Sequence, residues 1–298
     1  MYDVIVVGGG PAGMTAALYA LRNGKSALVI EKAGFGGQIT YSPKVENYPG
    51  TLSMSGNEFA EKFLDQIMAQ GADVELEEVN EIIPGNPCRV KTVEGSSFES
   101  KAVILATGVK HRMLGLEGEE LAVGNGISFC AVCDGDFYKN QSVVVAGGGN
   151  SALQEAILLS AKCSKVIVLQ DMDHFTGEKK LQDILFAKDN VEAHTSVKIT
   201  GIKVSDAGVF QGVETNIGSF ECDGMFEAIG LIPENENFKS VADLNDFGYF
   251  ASGEDCKTKT NGVFVAGDAR SKTVGQITTA TADGATAAMA ACNYIDQL

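Results

Sequence analysis

Along the chain, short β-branched apolar runs alternate with glycine-rich turns and helical stretches. Residues 3–7 (Asp-Val-Ile-Val-Val) show no polar alternation beyond their first position, which predicts a parallel strand buried on both faces. Met14 to Arg22 predicts a helix closed by Asn23-Gly24, and Ser26 to Ile30 predicts the next strand. Phe59, Phe63 and Ile67 recur at helical spacing within residues 56–70, the pattern of a helix packed on a core. Residues 72–100 alternate short apolar and polar stretches and predict a small β-meander. Val103 to Gly108 predicts another buried strand. The opening pattern then returns, with a strand at Val143 to Ala146, a helix over Leu153 to Lys162 and a strand at Lys165 to Leu169. A strand over 224–230, a buried strand running from Val263 to Asp268 and an Ala-rich helix from about Ile277 to Tyr294 complete the chain.

The turns carry chemistry. Gly8-x-Gly10-x-x-Gly13 sits between a strand and a helix, and Glu31 follows Gly8 by 23 positions at the end of the next strand. Strand, glycines, helix and acid in that order predict dinucleotide binding: the glycines let backbone approach a pyrophosphate at the helix N-terminus, and the carboxylate accepts from a ribose hydroxyl. Gly147-x-Gly149-Asn150-Ser151-Ala152 repeats the turn, with Gln170 at the matching 23-residue offset. A supersecondary unit repeated at this distance predicts an α/β chain of two Rossmann-like dinucleotide-binding domains. Gly36-Gly37-Gln38 and the loop around Asn47 are turns by composition, placed where they can touch a dinucleotide.

Cys130-Ala131-Val132-Cys133-Asp134-Gly135 opens the second unit. Two thiols three positions apart can close a small disulfide ring. In such pairs one thiol falls from roughly 8.5 to about 7, so a thiolate is available at neutral pH. The spacing also suits zinc, although a structural zinc site normally takes four ligands, and two inert buried cysteines are a third reading. Cys88, Cys163, Cys222, Cys256 and Cys292 stand alone, and His111, His174 and His194 have no metal-ligand spacing, so no metal is expected.

Composition narrows the partners. A net charge of -16 on 298 residues argues against nucleic acid and anionic membranes, both of which reward clustered Lys and Arg. Seven irregularly spaced cysteines, with no stretch that reads as a secretory leader, point to a reducing cytoplasm. Val4 to Leu21 is uncharged, but Gly8-Gly9-Gly10-Pro11 interrupts it, and a strand turning into a buried helix explains it better than a membrane segment.

Taken together, Gly8-x-Gly10-Pro11-Ala12-Gly13, Gly36-Gly37-Gln38, Glu46-Asn47-Tyr48-Pro49-Gly50, the Cys130–Gly135 run, Gly147-Gly148-Gly149-x-Ser151-Ala152 and Gly267-Asp268 resemble the low-molecular-weight thioredoxin reductases over nearly the whole chain. The resemblance implies an FAD domain built from residues 1–112 and 245–298. A nucleotide-type domain, 113–244, would be inserted between them and carry the redox pair, and the molecule would work as a homodimer. It implies that Gly8, Gly10, Pro11, Ala12, Gly13, Glu31 and Lys32 hold the ADP half of FAD, with Gly36, Gly37, Gln38, Asn47, Thr107 and Gly108 around the cofactor. Gly267 and Asp268 would meet the ribityl chain, and Gln276-Ile277 would put a helix N-terminus near the flavin's pyrimidine edge. Electrons would pass from reduced flavin to a Cys130–Cys133 disulfide and on to thioredoxin by exchange through a mixed disulfide. Cys133 would face the flavin, and Asp134 would protonate a leaving thiolate. The inserted domain would swing on connections near residues 109–117 and 240–248. Two rival functions share this architecture: a reductase of a dedicated peroxide-reducing or glutaredoxin-like partner, and a flavoprotein redox sensor with a decayed donor site.

One departure matters. Where that family holds the 2′-phosphate of NADPH with a His-Arg-Arg run and a further Arg, this chain has Gln170-Asp171-Met172 and Thr176. Each hydrogen bond to a charged group is worth roughly 1.5–3 kcal/mol. Losing two therefore costs roughly 3–6 kcal/mol, about a hundred- to ten-thousand-fold in affinity, and Asp171 adds repulsion. NADH through Gly147, Gly149, Asn150, Ser151, Ala152 and Gln170 is the first expectation for the donor, ahead of a ferredoxin-type donor and of NADPH.

Overall fold

The structure is a computed structural model describing residues 1–42, 44–205 and 209–298. The chain divides into two compact units, Met1–Lys110 with Ile232–Leu298, and His111–Leu231. The first unit begins with β1 (Tyr2–Val7), α1 (Pro11–Arg22), β2 (Ala27–Glu31), α2 (Gly56–Ala69), β3 (Asp73–Leu76), β4 (Val79–Ile83), β5 (Cys88–Thr92) and β6 (Ser97–Leu105). The crossing strand β7 (Lys110–His111) leads to α3 (Glu119–Ala122), β8 (Ile127–Ser128), α4 (Ala131–Asp134), β9 (Ser142–Ala146), α5 (Asn150–Ser160), β10 (Lys165–Leu169), α6 (Lys179–Phe186) and β11 (Val191–His194). Then come β12 (Ile199–Val204), β13 (Phe210–Thr215), β14 (Gly218–Glu221), β15 (Gly224–Glu227) and the second crossing strand β16 (Leu231–Ile232). The chain returns to the first unit with β17 (Val263–Val265) and α7 (Ile277–Ile295).

The two units repeat one plan. In the first, β3, β2, β1 and β6 lie side by side in parallel, and β17 continues beyond β6. In the second the parallel order is β11-β10-β9-β15-β8. Strand order therefore reverses between β1 and β6, and again between β9 and β15, the crevice where doubly wound sheets bind ligands. The central strands are buried on both faces, as their unbroken Val/Ile/Leu runs require: Val4 to Val7 and Val143 to Ala146 are all buried. Helices α1 and α7 pack on the first sheet through Ala16, Ala17, Ala20, Ala287, Ala288 and Ala291, small side chains that let two helices approach closely. No helix among the described residues is long and apolar enough to cross a membrane.

Two expectations need adjusting. The stretch 72–100 is not wholly a meander: β4, β5 and β6 are antiparallel, but β3 joins β2 in parallel. The second crossing lies at Leu231/Ile232, ahead of the expected 244/245. The reason is packing, since Phe238, Val241, Ala242 and Phe250 are buried in one cluster with Ile5, Leu28, Val103 and Val265 of the first unit's sheet.

Candidate functional site

Strand β8 delivers the cysteine pair to the end of the second parallel sheet. Cys130 and Cys133 form a disulfide with Cα atoms 5.3 Å apart. Cys130 is the N-cap of α4 in extended conformation. Its carbonyl accepts from the amides of Cys133 (3.1 Å) and Asp134 (3.0 Å), and its Sγ accepts from the Cys133 amide at 3.2 Å. Asp134 is buried and accepts from Ser128 Oγ at 2.6 Å. The Cys130 amide in turn donates to Ser128 Oγ at 3.1 Å. Ser128 thus joins the acid to the first cysteine, a role the sequence reading missed; the one available signal was a hydroxyl two positions before Cys130. Beside the pair, the rings of His111 and Phe129 stack at 4.4 Å and 11°, and burial lowers the His111 pKa to about 4, so that imidazole is neutral at physiological pH. The other five cysteines are free and buried. Burial raises their thiols, to about 11 at Cys163 and about 12 at Cys222 and Cys256, which leaves them inert.

The first glycine-rich turn is built tightly. Gly8 has φ +111°, and a Cβ there would lie 2.2 Å from Ala106 O; one on Gly13 would lie 1.9 Å from Gly8 O. Gly10 caps α1, with Pro11 at its first position. The Glu31 carboxylate accepts from the Gly9 amide (2.6 Å) and the Ala33 amide (2.9 Å), which fixes it beside the turn. Gly36 returns over it, donating to Gly9 O at 2.8 Å. A Cβ on Gly37 would sit 3.4 Å from Gly10 Cα, whereas one on Gly10 would find nothing nearer than Gly36 O at 4.0 Å. Side chains at these glycines would fill the space over the helix N-terminus, the space a pyrophosphate needs.

The chain's C-terminal part completes this side. Gly267 (φ +77°) abuts Ala12, since a Cβ there would lie 2.7 Å from Ala12 Cβ. Asp268 pairs with Lys272 at 3.0 Å, and burial raises its pKa against the pull of that lysine. Behind it Asp283 accepts from the Gly267 amide (3.0 Å) and from Arg270 Nε and Nη2 (both 2.8 Å). Gln276 caps α7, and its Oε1 accepts from Asn47 Nδ2 at 3.1 Å. Thr107 donates to Asn235 Oδ1 at 2.7 Å, and Asn235 donates to Gly248 O and Ala269 O. Gly108 turns the chain with φ +67°, and Gln38 lies in the short 3-10 turn Gly37–Tyr41. Lys32 is engaged elsewhere, in an ion pair with Glu234. Asp283, Arg270 and Asn235 were not singled out from sequence, although a lone Asp inside an Ala-rich helix was a visible signal. The turn formed by Gly8, Gly10, Gly13, Gly36 and Gly37, with Glu31 fixed beside it and Gly267 against Ala12, leaves backbone open over a helix N-terminus and fits an FAD-type dinucleotide.

The second turn repeats the glycine geometry but not its charges. Gly147 has φ +122°, and a Cβ there would lie 2.6 Å from Ala228 O. Gly149 caps α5, which starts with Asn150, Ser151 and the buried Ala152. Gln170 lies against Gly148 and donates through Nε2 to His174 O at 3.2 Å. Asn150 Oδ1 accepts from the Glu178 amide at 2.7 Å. Asp171 and Met172 are exposed, Asp173 pairs with His174, and the first cations after them are Lys179, paired with Asp183 at 2.9 Å, and Lys180. The turn fits a dinucleotide backbone; the strand end beyond it offers acids where a 2′-phosphate needs cations.

The sequence pattern of the pyridine nucleotide-disulphide oxidoreductase family matches residues 2–284. The chain is 37% identical to a thioredoxin reductase of Listeria monocytogenes over 303 aligned positions, covering all of this chain and 95% of that protein. It is 36% identical to one of Bacillus subtilis, covering 100% and 96%. The crystal structure of thioredoxin reductase from Streptococcus pyogenes superposes with a TM-score of 0.93 at 36% identity, covering 100% of this chain and 99% of the other.

Proposed function

This chain belongs to the pyridine nucleotide-disulphide oxidoreductase family, in its thioredoxin reductase branch, and from that premise we propose that it reduces the disulfide of a thioredoxin-type protein through its own Cys130–Cys133 pair. The observation that carries the reading is the disulfide itself, set at a helix start with a buried acid one residue beyond it. Gly8, Gly10, Pro11, Ala12, Gly13, Glu31, Gly36 and Gly37 would hold the ADP half of FAD, and Gly267, Asp268, Gln276 and Ile277 its flavin half. Held there and reduced by the donor, the flavin would supply the electron pair that opens the disulfide. One Cys thiolate attacks the partner's disulfide, forming a mixed disulfide and expelling a partner thiolate. The second cysteine then attacks its neighbour, which restores the Cys130–Cys133 bond and releases the partner's other sulfur. Asp134 delivers a proton to the departing sulfur, with Ser128 Oγ fixing its carboxyl.

NADH is the proposed donor: the glycines and Gln170 suit a dinucleotide with a free ribose hydroxyl, while Asp171 and Asp173 repel a 2′-phosphate. The absence of Lys and Arg from 170–178 also favours a second reading, a ferredoxin-type donor, which the net charge of -16 opposes for an acidic ferredoxin. The proposal has two copies working together in the cytoplasm, where free buried thiols such as Cys88 and Cys292 stay reduced.

Anaerobic rapid mixing of the FAD-loaded protein with NADH, NADPH and reduced ferredoxin, followed by addition of oxidised thioredoxin, tests this. Bleaching by NADH and recovery on adding thioredoxin are expected. No bleaching by any donor would leave a redox sensor as the better reading, and recovery only with a glutaredoxin-like or peroxide-reducing protein would replace the substrate.

A further inference from the structure

Asn235 is completely buried. It follows the second crossing strand, on the leg that carries the chain back into the first unit. Its Nδ2 donates to Gly248 O at 3.0 Å and to Ala269 O at 3.1 Å, and its Oδ1 accepts from Thr107 Oγ1 at 2.7 Å. One side chain thus joins three stretches of chain that lie 13, 34 and 128 positions from it. Two of them border the glycine-lined cradle. A Cβ on Gly8 would come within 3.3 Å of the Thr107 amide nitrogen, and Ala269 ends the short turn that carries Gly267 and Asp268.

The donor and acceptor roles here are forced. An asparagine NH2 offers two protons, and its carbonyl oxygen only accepts. With carbonyl oxygens of Gly248 and Ala269 both against Nδ2, a flipped amide would set oxygen against oxygen twice. Oδ1 therefore faces Thr107, and the Thr107 hydroxyl must donate to it. That commits the hydroxyl's one proton and leaves its lone pairs to accept. A threonine without this partner could turn its hydroxyl either way. A leucine at 235 would cover the same volume but break all three bonds, and buried polar groups left unmatched are costly.

We propose that Asn235 is a positioning residue for the flavin cofactor: it holds the Thr107 hydroxyl as an acceptor, so that this edge of the cradle takes a proton-bearing group of the ligand, a sugar-chain hydroxyl or an N–H, and not a phosphate oxygen. Through Ala269 the same amide keeps the Asp268 turn in register with Thr107. The inference rests on the FAD reading of the first unit.

The test is the FAD dissociation constant of the full-length holoprotein, from the flavin fluorescence released on dilution. It is measured for the parent, Thr107→Val, Asn235→Ala and the double variant, with Thr107→Ser as the conservative replacement. No electron donor, thioredoxin or cysteine chemistry enters. Thr107→Val and Asn235→Ala are each expected to raise the constant about tenfold. Because Asn235 acts through the hydroxyl, its loss matters less once valine stands at 107. The double variant should therefore bind at least about threefold more tightly than the product of the two single effects. Thr107→Ser keeps the hydroxyl and should bind as the parent does. An asparagine that only supports the fold would give effects that multiply. That result, parent-like affinity in Asn235→Ala, or a serine variant as weak as the valine one would overturn the proposal while the FAD reading stands. A parent that holds no FAD would end both. Should Asn235→Ala fail to fold, nitrogen-15-labelled asparagine decides instead. Thr107→Val identifies the Asn235 side-chain amide as the NH2 signal that it displaces. Removing FAD from the parent should displace the same signal, and a signal indifferent to FAD refutes the assignment.

Discussion

Ser128 Oγ donates to Asp134 Oδ2 at 2.6 Å and at the same time receives the Cys130 amide at 3.1 Å, so one hydroxyl ties the buried acid to the backbone of the first cysteine. A proton-transfer group contributes about 10²–10⁴-fold when correctly placed. Asp134→Asn is therefore expected to slow thioredoxin reduction by at least about a hundredfold. Ser128→Ala leaves Asp134 in place but deprives a buried carboxyl and a part-buried amide of their partner, which should cost about 1–3 kcal/mol of stability and shift the pH profile of turnover. Thermal unfolding together with steady-state assays across pH checks both. A Ser128→Ala enzyme with the parent's profile would show that the hydroxyl only supports the fold.

The acids after β10 make a separate claim on donor choice. Replacing Asp171 and Met172 by Arg supplies two cations where none stands between residues 170 and 178. At about 1.5–3 kcal/mol per charge-assisted hydrogen bond, the ratio of kcat/KM for NADPH to that for NADH should rise by at least about tenfold. A ratio that does not move would mean that nucleotides do not engage this strand end.

Glu227, at the end of β15, is buried beside Glu119. Glu119 is itself held by the amides of Leu114, Gly115 and Leu116 at 2.7, 2.7 and 2.8 Å. Burial first, and Glu119 second, raise the Glu227 pKa to about 9. The sign follows from proton counting: between the ordinary value of 4.5 and about 9 the native state holds a proton that the unfolded chain releases, so stability falls as pH rises across that window. Glu227→Gln removes this dependence and offers Glu119 an N–H donor. Its melting temperature should exceed the parent's by an amount that grows from pH 6 to pH 9. An equal decline in both proteins would contradict the assignment.

Asp283 is the buried hub behind the Gly267-Asp268 turn. Burial pushes its pKa up, but Arg270 and Lys272 outweigh that and hold it below the usual carboxylate value. Asp283→Asn leaves Arg270, itself buried, without its closest charge partner, a change worth about 3–5 kcal/mol. The variant should unfold earlier and release FAD on gel filtration where the parent retains it.

Much of this was legible because backbone demands leave a mark in sequence. Unbroken β-branched runs announced the central strands, since a parallel strand covered on both faces has no polar side to show. Gly8, Gly13 and Gly147 announced the turns, since no Cβ fits there. Ser128 and Asn235 left no such mark: a hydroxyl or an amide becomes informative only when folding brings its partner near, and Thr107 meets Asn235 across 128 positions. The second crossing was misplaced for a related reason. Residues 232–250 have no helical or strand period, so the attachment of Phe238 and Phe250 to the first unit's core was visible only in three dimensions.

The central claim is that Cys130 and Cys133 relay the electrons, and trapping their state during reduction tests it most directly. FAD-loaded protein would be mixed anaerobically with one equivalent of a donor that bleaches its flavin, quenched at intervals, alkylated and digested. The account predicts that alkyl groups appear on Cys130 and Cys133 together, in step with donor oxidation, and disappear again when oxidised thioredoxin is added. A flavin that cycles with thioredoxin while these two sulfurs stay bonded to each other throughout would contradict it.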